Sequence, residues 1–243
     1  LTFSGLLGMV ITGDVFNLFV FLEISSLSTY VMISLGKSRR AMTAAFRYLV
    51  LGTVGATFYV IGVGMLYQMT GTLNMADLAD KLPAVTETRT ILVALGFLTV
   101  GIGLKLGLFP VHLWLPNAYT YAPSVVTAFL AATATKVAVY ALLRIYFTVF
   151  GVEAIEAYPL DEALLLLGLA AIVSMSAVAI FQTDVKRLLA YSSVAQLGYM
   201  IIGISFLTIT GLAAGILHVF NHGLMKAALF MVLACVFLRI KSV

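Results

Sequence analysis

Leu104-Lys105-Leu106-Gly107-Leu108-Phe109-Pro110-Val111-His112-Leu113-Trp114-Leu115-Pro116-Asn117 is the stretch that decides the architecture. It is apolar enough to lie in a membrane, yet it holds a lysine, a histidine and two prolines, with Pro123 shortly beyond. Each proline removes a backbone donor and clashes with the preceding turn. The apolar run around it, 90–121, is too long for one straight crossing, since a spanning helix needs about 20 residues. The combination predicts a helix broken in mid-membrane at Pro110, His112 and Pro116, with a non-helical insert packed against protein or water. One long tilted helix kinked at its prolines is the alternative. Broken helices at membrane depth turn freed backbone groups and helix ends toward an ion path. His112, inside the insert, suits a structural donor and a proton carrier equally.

The remaining sequence has the composition this reading needs. Of 243 residues, 62% are hydrophobic and only 10% are charged, against about 25% in a soluble domain. Fourteen basic and ten acidic residues cannot cover the surface of a soluble fold this size. That excludes a soluble enzyme, a disordered segment and a nucleic-acid binder. The net charge of +4 then reads as an orientation signal in the bilayer rather than a patch for phosphates. The single cysteine, Cys235, excludes an internal disulfide and a cysteine-rich metal or cluster site. No metal site and no cofactor, whether flavin, iron–sulfur cluster or NAD, is expected.

Apolar runs predict an all-α polytopic membrane protein with spans at 14–35, 42–68, 90–121, 123–150, 162–182, 184–207 and 211–238. Residues 1–12 are too short to cross and read as the end of a preceding helix. The runs are continuously apolar rather than alternating, which disfavours a β-barrel. Lys37, Arg39 and Arg40 follow the first span, Lys186 and Arg187 open the sixth, and Arg239 and Lys241 follow the seventh. The positive-inside rule places the loops near 36–41 and 183–187 and the C-terminus in the cytoplasm, in a cell membrane. The acidic loops 69–89 and 151–161 then lie outside. The chain opens on Leu1 and closes on Lys241-Ser242-Val243 directly after an apolar run, so both ends read as cut from something longer.

The few charges away from loops are the most informative. Glu23, Lys136 and Lys226 lie near the middle of their spans, and Lys105 sits just before the proline break. At about 2.5–3.5 kcal/mol each at mid-helix, four unpaired charges would cost roughly 10 kcal/mol or more. His218, His222 and Lys226 recur every four residues and share a helix face. Thr133 and Thr135 flank Lys136, and Ser192 and Ser193 lie one turn from Gln196, so Ser192, Thr135 and Gln196 can hold bridging waters. Such a row suits proton movement: a lysine out of water gives up its proton more readily, and a carboxylate beside it opposes this. Glu23 with Lys105 is the candidate switch pair, and Lys136 with the two histidines the candidate relay. Mutual ion pairing that fixes helix packing is the alternative, though three lysines cannot be neutralised by one carboxylate. Arg47 and Arg144, near span ends, are expected to snorkel, Asp14 to cap the first span, and Gly52, Gly55, Gly62 and Gly64 to permit close helix packing.

The motifs also carry a resemblance. Gly13-Asp14-Val15-Phe16-Asn17-Leu18-Phe19-Val20-Phe21-Leu22-Glu23, the 104–118 stretch, Lys136-Val137-Ala138-Val139-Tyr140 and His218-Val219-Phe220-Asn221-His222-Gly223-Leu224-Met225-Lys226 occur in one order. Together they resemble the antiporter-like subunits shared by multisubunit Mrp-type cation/proton antiporters, complex I and membrane-bound hydrogenases. Glu23-Ile24-Ser25-Ser26-Leu27-Ser28 and Asn117-Ala118-Tyr119 look most like the D-type member of the Mrp antiporters. The resemblance implies a fourteen-helix fold of two inverted repeats, with 1–150 holding most of the first and 160–243 opening the second, as one transmembrane domain fragment. It implies that Glu23, Lys105, Lys136, His218, His222 and Lys226 match the family's proton-path positions, while Gln196 stands where some members have histidine. It further implies proton translocation coupled to Na+ exchange, other membrane subunits as partners, and no covalent chemistry in this chain. A redox-driven proton pump subunit and a non-transporting scaffold subunit are the alternatives.

Overall fold

A computed structural model describes residues 1–241. The expectation for Ser242 and Val243 lies outside them. Every regular element among the described residues is helical. Among the described residues, seven helical segments are long and apolar enough to cross a membrane, at Val15–Ser34, Arg39–Thr70, Arg89–Leu106, Ser124–Phe150, Leu160–Ile180, Val185–Ser205 and Ile209–Ile240. The shorter apolar helix α1 (Thr2–Ile11) precedes them. Helix α2 (Val15–Ser34) starts where Asp14 Oδ1 accepts from the amides of Phe16 and Asn17 at 2.8 and 2.7 Å, the cap the sequence predicts. Helix α3 (Arg39–Thr70) returns across the membrane to the short α4 (Met75–Lys81). Backbone hydrogen bonds from Val15 to Leu73 and from Met75 to Gly13 tie the start of α2 to the end of α3 on one face.

The break falls where the deciding stretch places it. Helix α5 (Arg89–Leu106) ends at Gly107, whose φ of 79° is a left-handed conformation that glycine adopts without a Cβ penalty. Non-helical backbone runs to α6 (Trp114–Tyr121), and Trp114 Nε1 donates to the freed carbonyl of Leu104 at 2.7 Å. The assignment of Pro116 to the insert needs correction: it lies in the first turn of α6, where a missing N–H costs nothing.

The span expected as one helix at 123–150 is also interrupted. Helix α7 (Ser124–Ala132) stops at Thr133 and α8 (Ala134–Leu143) restarts beyond it, followed by a π-helical turn over Arg144–Phe150. The Thr133 hydroxyl donates back to Phe129 O at 2.8 Å, competing with the regular ladder. Arg144 does not simply snorkel. Its guanidinium reaches Val10 O at 3.4 Å, Tyr140 Oη at 3.2 Å and Met75 Sδ at 3.0 Å, because α1 and α4 pack over this turn and offer acceptors closer than the interface. Arg47 is exposed on α3.

After the short α9 (Val152–Ala157), α10 (Leu160–Ile180), α11 (Val185–Ser205) and α12 (Ile209–Lys241) complete the bundle. Small residues let helices approach: a Cβ on Gly55 would meet Leu104 Cβ at 2.9 Å, and one on Gly62 would meet Leu98 Cγ at 2.8 Å. Gly64 is the exception and faces open space. Helix α12 buries His222, Lys226 and Phe230 and leaves the apolar Leu217, Phe220, Leu224 and Met231 exposed. Lys37, Ser38, Tyr121, Ser124, Lys186 and Phe237 line one cavity, so the basic ends of the spans gather on one face.

Candidate functional site

Lys105 occupies the last turn of α5, where the break leaves its side chain free to cross to α2. It is 7% exposed. Its Nζ lies 3.5 Å from Glu23 Oε1 and donates to Ser26 Oγ at 2.6 Å and Tyr30 Oη at 3.2 Å. Glu23, Ser26 and Tyr30 follow one another at helical spacing along one face of α2, so a single helix supplies all three partners. The ammonium has closer contact with the hydroxyls than with the carboxylate, and Glu23 is less buried than the lysine. The third wall is α3: a Cβ on Gly52 would lie 2.1 Å from Tyr30 Oη and 3.2 Å from Lys105 Nζ. Only glycine leaves room here for both. Tyr30 in turn meets Tyr48 edge-on at 4.7 Å, and Tyr48 stacks on Trp114 at 4.0 Å. The aromatic stack thereby connects the lysine's socket to the indole that holds the broken helix.

Lys136 uses the second interruption in a similar way. Its Nζ donates to Ala131 O at 2.5 Å, a carbonyl freed by the stop at Thr133, and to Thr135 Oγ1 at 3.2 Å. Helix α12 comes close at this point, with a Cβ on Gly223 meeting Ala132 O at 3.2 Å and Lys136 Cε at 4.0 Å. Lys226, 3% exposed, donates to Ser192 Oγ at 2.5 Å and to Leu189 O at 2.8 Å on α11. Neither lysine has a carboxylate within ion-pair distance among the described residues. Among the described residues each ammonium is held by carbonyl and hydroxyl dipoles, an arrangement that solvates the charge without fixing it as a neutral pair.

The two histidines lie one and two turns before Lys226 on α12. The rings of His218 and His222 are nearly parallel with centroids 6.0 Å apart, and His218 faces Tyr199 at 6.2 Å. His218 Nε2 and both nitrogens of His222 are buried without a protein partner among the described residues. Buried groups of this kind are ordinarily paired, with protein groups or with ordered water. Contacts of Lys226 with Ser192 and of His218 with Tyr199 fix an antiparallel register that sets Gln196 at the level of His222. His112 is buried in the break, its ring stacked on Phe109 at 5.5 Å and its Nδ1 without a hydrogen-bond partner among the described residues. It makes no hydrogen bond to Lys105 or Glu23 among the described residues.

The structure therefore brings Glu23 to Lys105 and Ser192 to Lys226, and sets Thr135 beside Lys136. Sequence reasoning missed Ser26, Tyr30 and Gly52 as parts of the site, although the first two share the face of Glu23 and were legible from spacing.

Residues 12–243 match the family described as NADH:quinone oxidoreductase/Mrp antiporter, TM. The chain belongs to this family. The antiporter-family chain is 50% identical over 232 residues to NADH-quinone oxidoreductase subunit N of Desulforudis audaxviator, covering 94% of this chain and 45% of that protein. It is 35% identical over 228 residues to the D-type member of the Na(+)/H(+) antiporter of Alkalihalophilus pseudofirmus, covering 94% of this chain and 46% of that protein. Among solved structures it resembles a chain of the Mrp complex from Dietzia sp. DQ12-45-1b, with a TM-score of 0.88 at 30% identity, covering 96% of this chain and 43% of that one. The chain thus spans less than half the length of these relatives.

Proposed function

We propose that this antiporter-family chain forms part of a proton-translocating membrane subunit in a multisubunit, redox-driven complex. The observation that carries the proton role is the set of buried ammonium groups at Lys105, Lys136 and Lys226, of which only Lys105 faces a carboxylate among the described residues. Structural ion pairs would be matched one to one. Here the one carboxylate sits at 3.5 Å, looser than the hydroxyls around it, where a small movement changes the field on Lys105. Withdrawal of Glu23 frees Lys105 to release its proton; its return restores the hold. Lys136, His222, His218 and Lys226 would then pass protons through water, with Gln196, Ser192 and Thr135 orienting the chain.

The choice of complex rests on the 50% identity to the oxidoreductase relative, against 35% to the Na(+)/H(+) antiporter relative. This reverses the leaning toward the Mrp antiporters that the short motifs at 23–28 and 117–119 suggest. An Mrp-type antiporter exchanging Na+ for protons is the second reading, favoured by the TM-score of 0.88. In either, residues 1–150 supply most of a first inverted repeat and 160–243 begin a second. The basic face meets the cytoplasm of the cell under the positive-inside rule, and partners are further membrane subunits.

The test is purification of the complete complex through a tag on this subunit, followed by reconstitution in liposomes with an internal pH dye. An electron donor and quinone should drive acidification, with redox subunits co-purifying. Sodium-triggered pH change without redox subunits would establish the antiporter instead.

A further inference from the structure

Beyond the buried row, the cleft between α3 and α6 changes character along its length in the way a lipid does. At its outer end Arg40, Thr43, Ala44 and Arg47 form one stripe of α3 opposite Asn117 and Tyr121 of α6. These residues enclose a cavity of about 210 Å³. The Arg40 guanidinium lies 5.9 Å over the Tyr121 ring. Seven residues at 1.5 Å each separate the two arginines by about 10 Å along the axis. The same stripe then continues inward as Arg47, Val50 and Leu51, joined by Phe46 and Leu113, around an adjoining cavity of about 310 Å³. Phe46 and Leu113 are 64% and 68% exposed there.

Neither arginine has a carboxylate within ion-pair distance among the described residues. Asp184, an acidic group at the same end of the bundle, is occupied in capping α11 through the Arg187 amide at 3.2 Å. The start of α3 adds positive potential, since the Ser38 side chain caps none of its amides. Two uncompensated guanidiniums with an amide and a hydroxyl beside them suit a phosphodiester, which arginine binds through paired N–H groups. Helix α3 has 32 residues, about 48 Å, so both ends extend past a hydrocarbon core of about 30 Å. Arg47, about 12 Å from the start, falls at the headgroup boundary, and the apolar cleft below it falls among acyl chains.

We infer that the α3–α6 cleft is a binding site for an anionic phospholipid, with its phosphate between Arg40, Arg47, Thr43 and Asn117 and one acyl chain along Phe46, Val50, Leu51 and Leu113. The lipid would brace α6, the half of the broken helix nearer the basic face, against α3. The inference is independent of which ion the complex moves.

The test uses the complete complex in detergent, with phosphatidylglycerol and phosphatidylcholine as probes and bound lipid read by native mass spectrometry. Phosphatidylglycerol should bind the wild type at least tenfold more tightly than phosphatidylcholine. Arg40→Gln/Arg47→Gln should weaken phosphatidylglycerol binding about thirtyfold, at about fivefold for each basic side chain, and leave phosphatidylcholine binding unchanged. The single Arg47→Gln, with an unchanged melting temperature, should weaken it about fivefold. Glycerol phosphate, the headgroup without chains, should compete about two hundredfold more weakly than the lipid, as when some four methylenes are not buried. Equal phosphatidylglycerol binding by wild type and both variants would overturn the site. Displacement by glycerol phosphate at lipid-like concentrations would make the occupant a free anion, and cross-linking of Arg47→Cys to a neighbouring subunit in place of lipid would make it a protein. Either result overturns the inference.

Discussion

Gly52→Ala adds one methyl group to the wall of the Lys105 socket. The new Cβ would lie 2.1 Å from Tyr30 Oη and 3.2 Å from Lys105 Nζ. An unstrained contact is near 3.5 Å, so Tyr30 or α3 must retreat by more than about 1 Å. Tyr30 is pinned edge-on against Tyr48, which is stacked on Trp114, so the retreat disturbs a packed chain rather than a free side chain. Overpacking of this kind costs about 1–3 kcal/mol. Loss of the 3.2 Å hydrogen bond from Lys105 would cost about 1.5–3 kcal/mol more, as a bond to a charged group. Gly52→Ala should therefore lower the melting temperature of the complex and slow proton translocation by at least tenfold. Tyr30→Phe in the same background removes the clashing oxygen, so it should recover most of the stability but not the transport. Gly64→Ala is the control: its Cβ meets nothing within 4 Å, and it should leave transport unchanged. Thermal unfolding and dye-reported proton flux, measured on the same preparations, read both effects. Wild-type flux in Gly52→Ala would refute the socket, and an equal melting temperature in the single and double variants would refute the clash with Tyr30.

Trp114→Phe should keep the stack on Tyr48 but strand the Leu104 carbonyl, costing about 1–3 kcal/mol in thermal or denaturant unfolding. Asp14→Ala should cost about 1 kcal/mol in the same assay through loss of the α2 cap, with flux per folded complex unchanged. Lys136→Met and Lys226→Met should each abolish proton flux in proteoliposomes while the complex still assembles on a native gel, because neither change leaves a carboxylate unpaired among the described residues. Disassembly with normal flux per intact complex would identify both lysines as scaffold residues.

The spans were legible because a length near 20 apolar residues is a physical threshold, and the break because a run as long as 90–121 with prolines inside it cannot make one straight helix. Pro116 was misread for the same reason: a proline is punctuation only away from a helix's first turn, and sequence does not say where that turn begins. The stop at Thr133 carries no such signal, since threonine is tolerated within helices and only its turn back to Phe129 O reveals the interruption. Depth sorting found Glu23, Lys105, Lys136 and Lys226 because charge at mid-span is costly. It could not find the partners of Lys136 and Lys226 at Ala131 O and Leu189 O, because backbone carbonyls belong to every residue alike. Ser26 and Tyr30 were available from their spacing to Glu23. The steric role of Gly52 was not, since that depends on the approach of α3 to both α2 and α5.

The central claim is that Glu23 governs the proton on Lys105. It is tested most directly by reconstituting the complete complex carrying Glu23→Gln and following internal pH in liposomes, beside a native gel for assembly. The substitution keeps the side chain's size and removes its charge. The account predicts an assembled complex with proton flux reduced at least tenfold. An assembled Glu23→Gln complex translocating protons at the wild-type rate would contradict it.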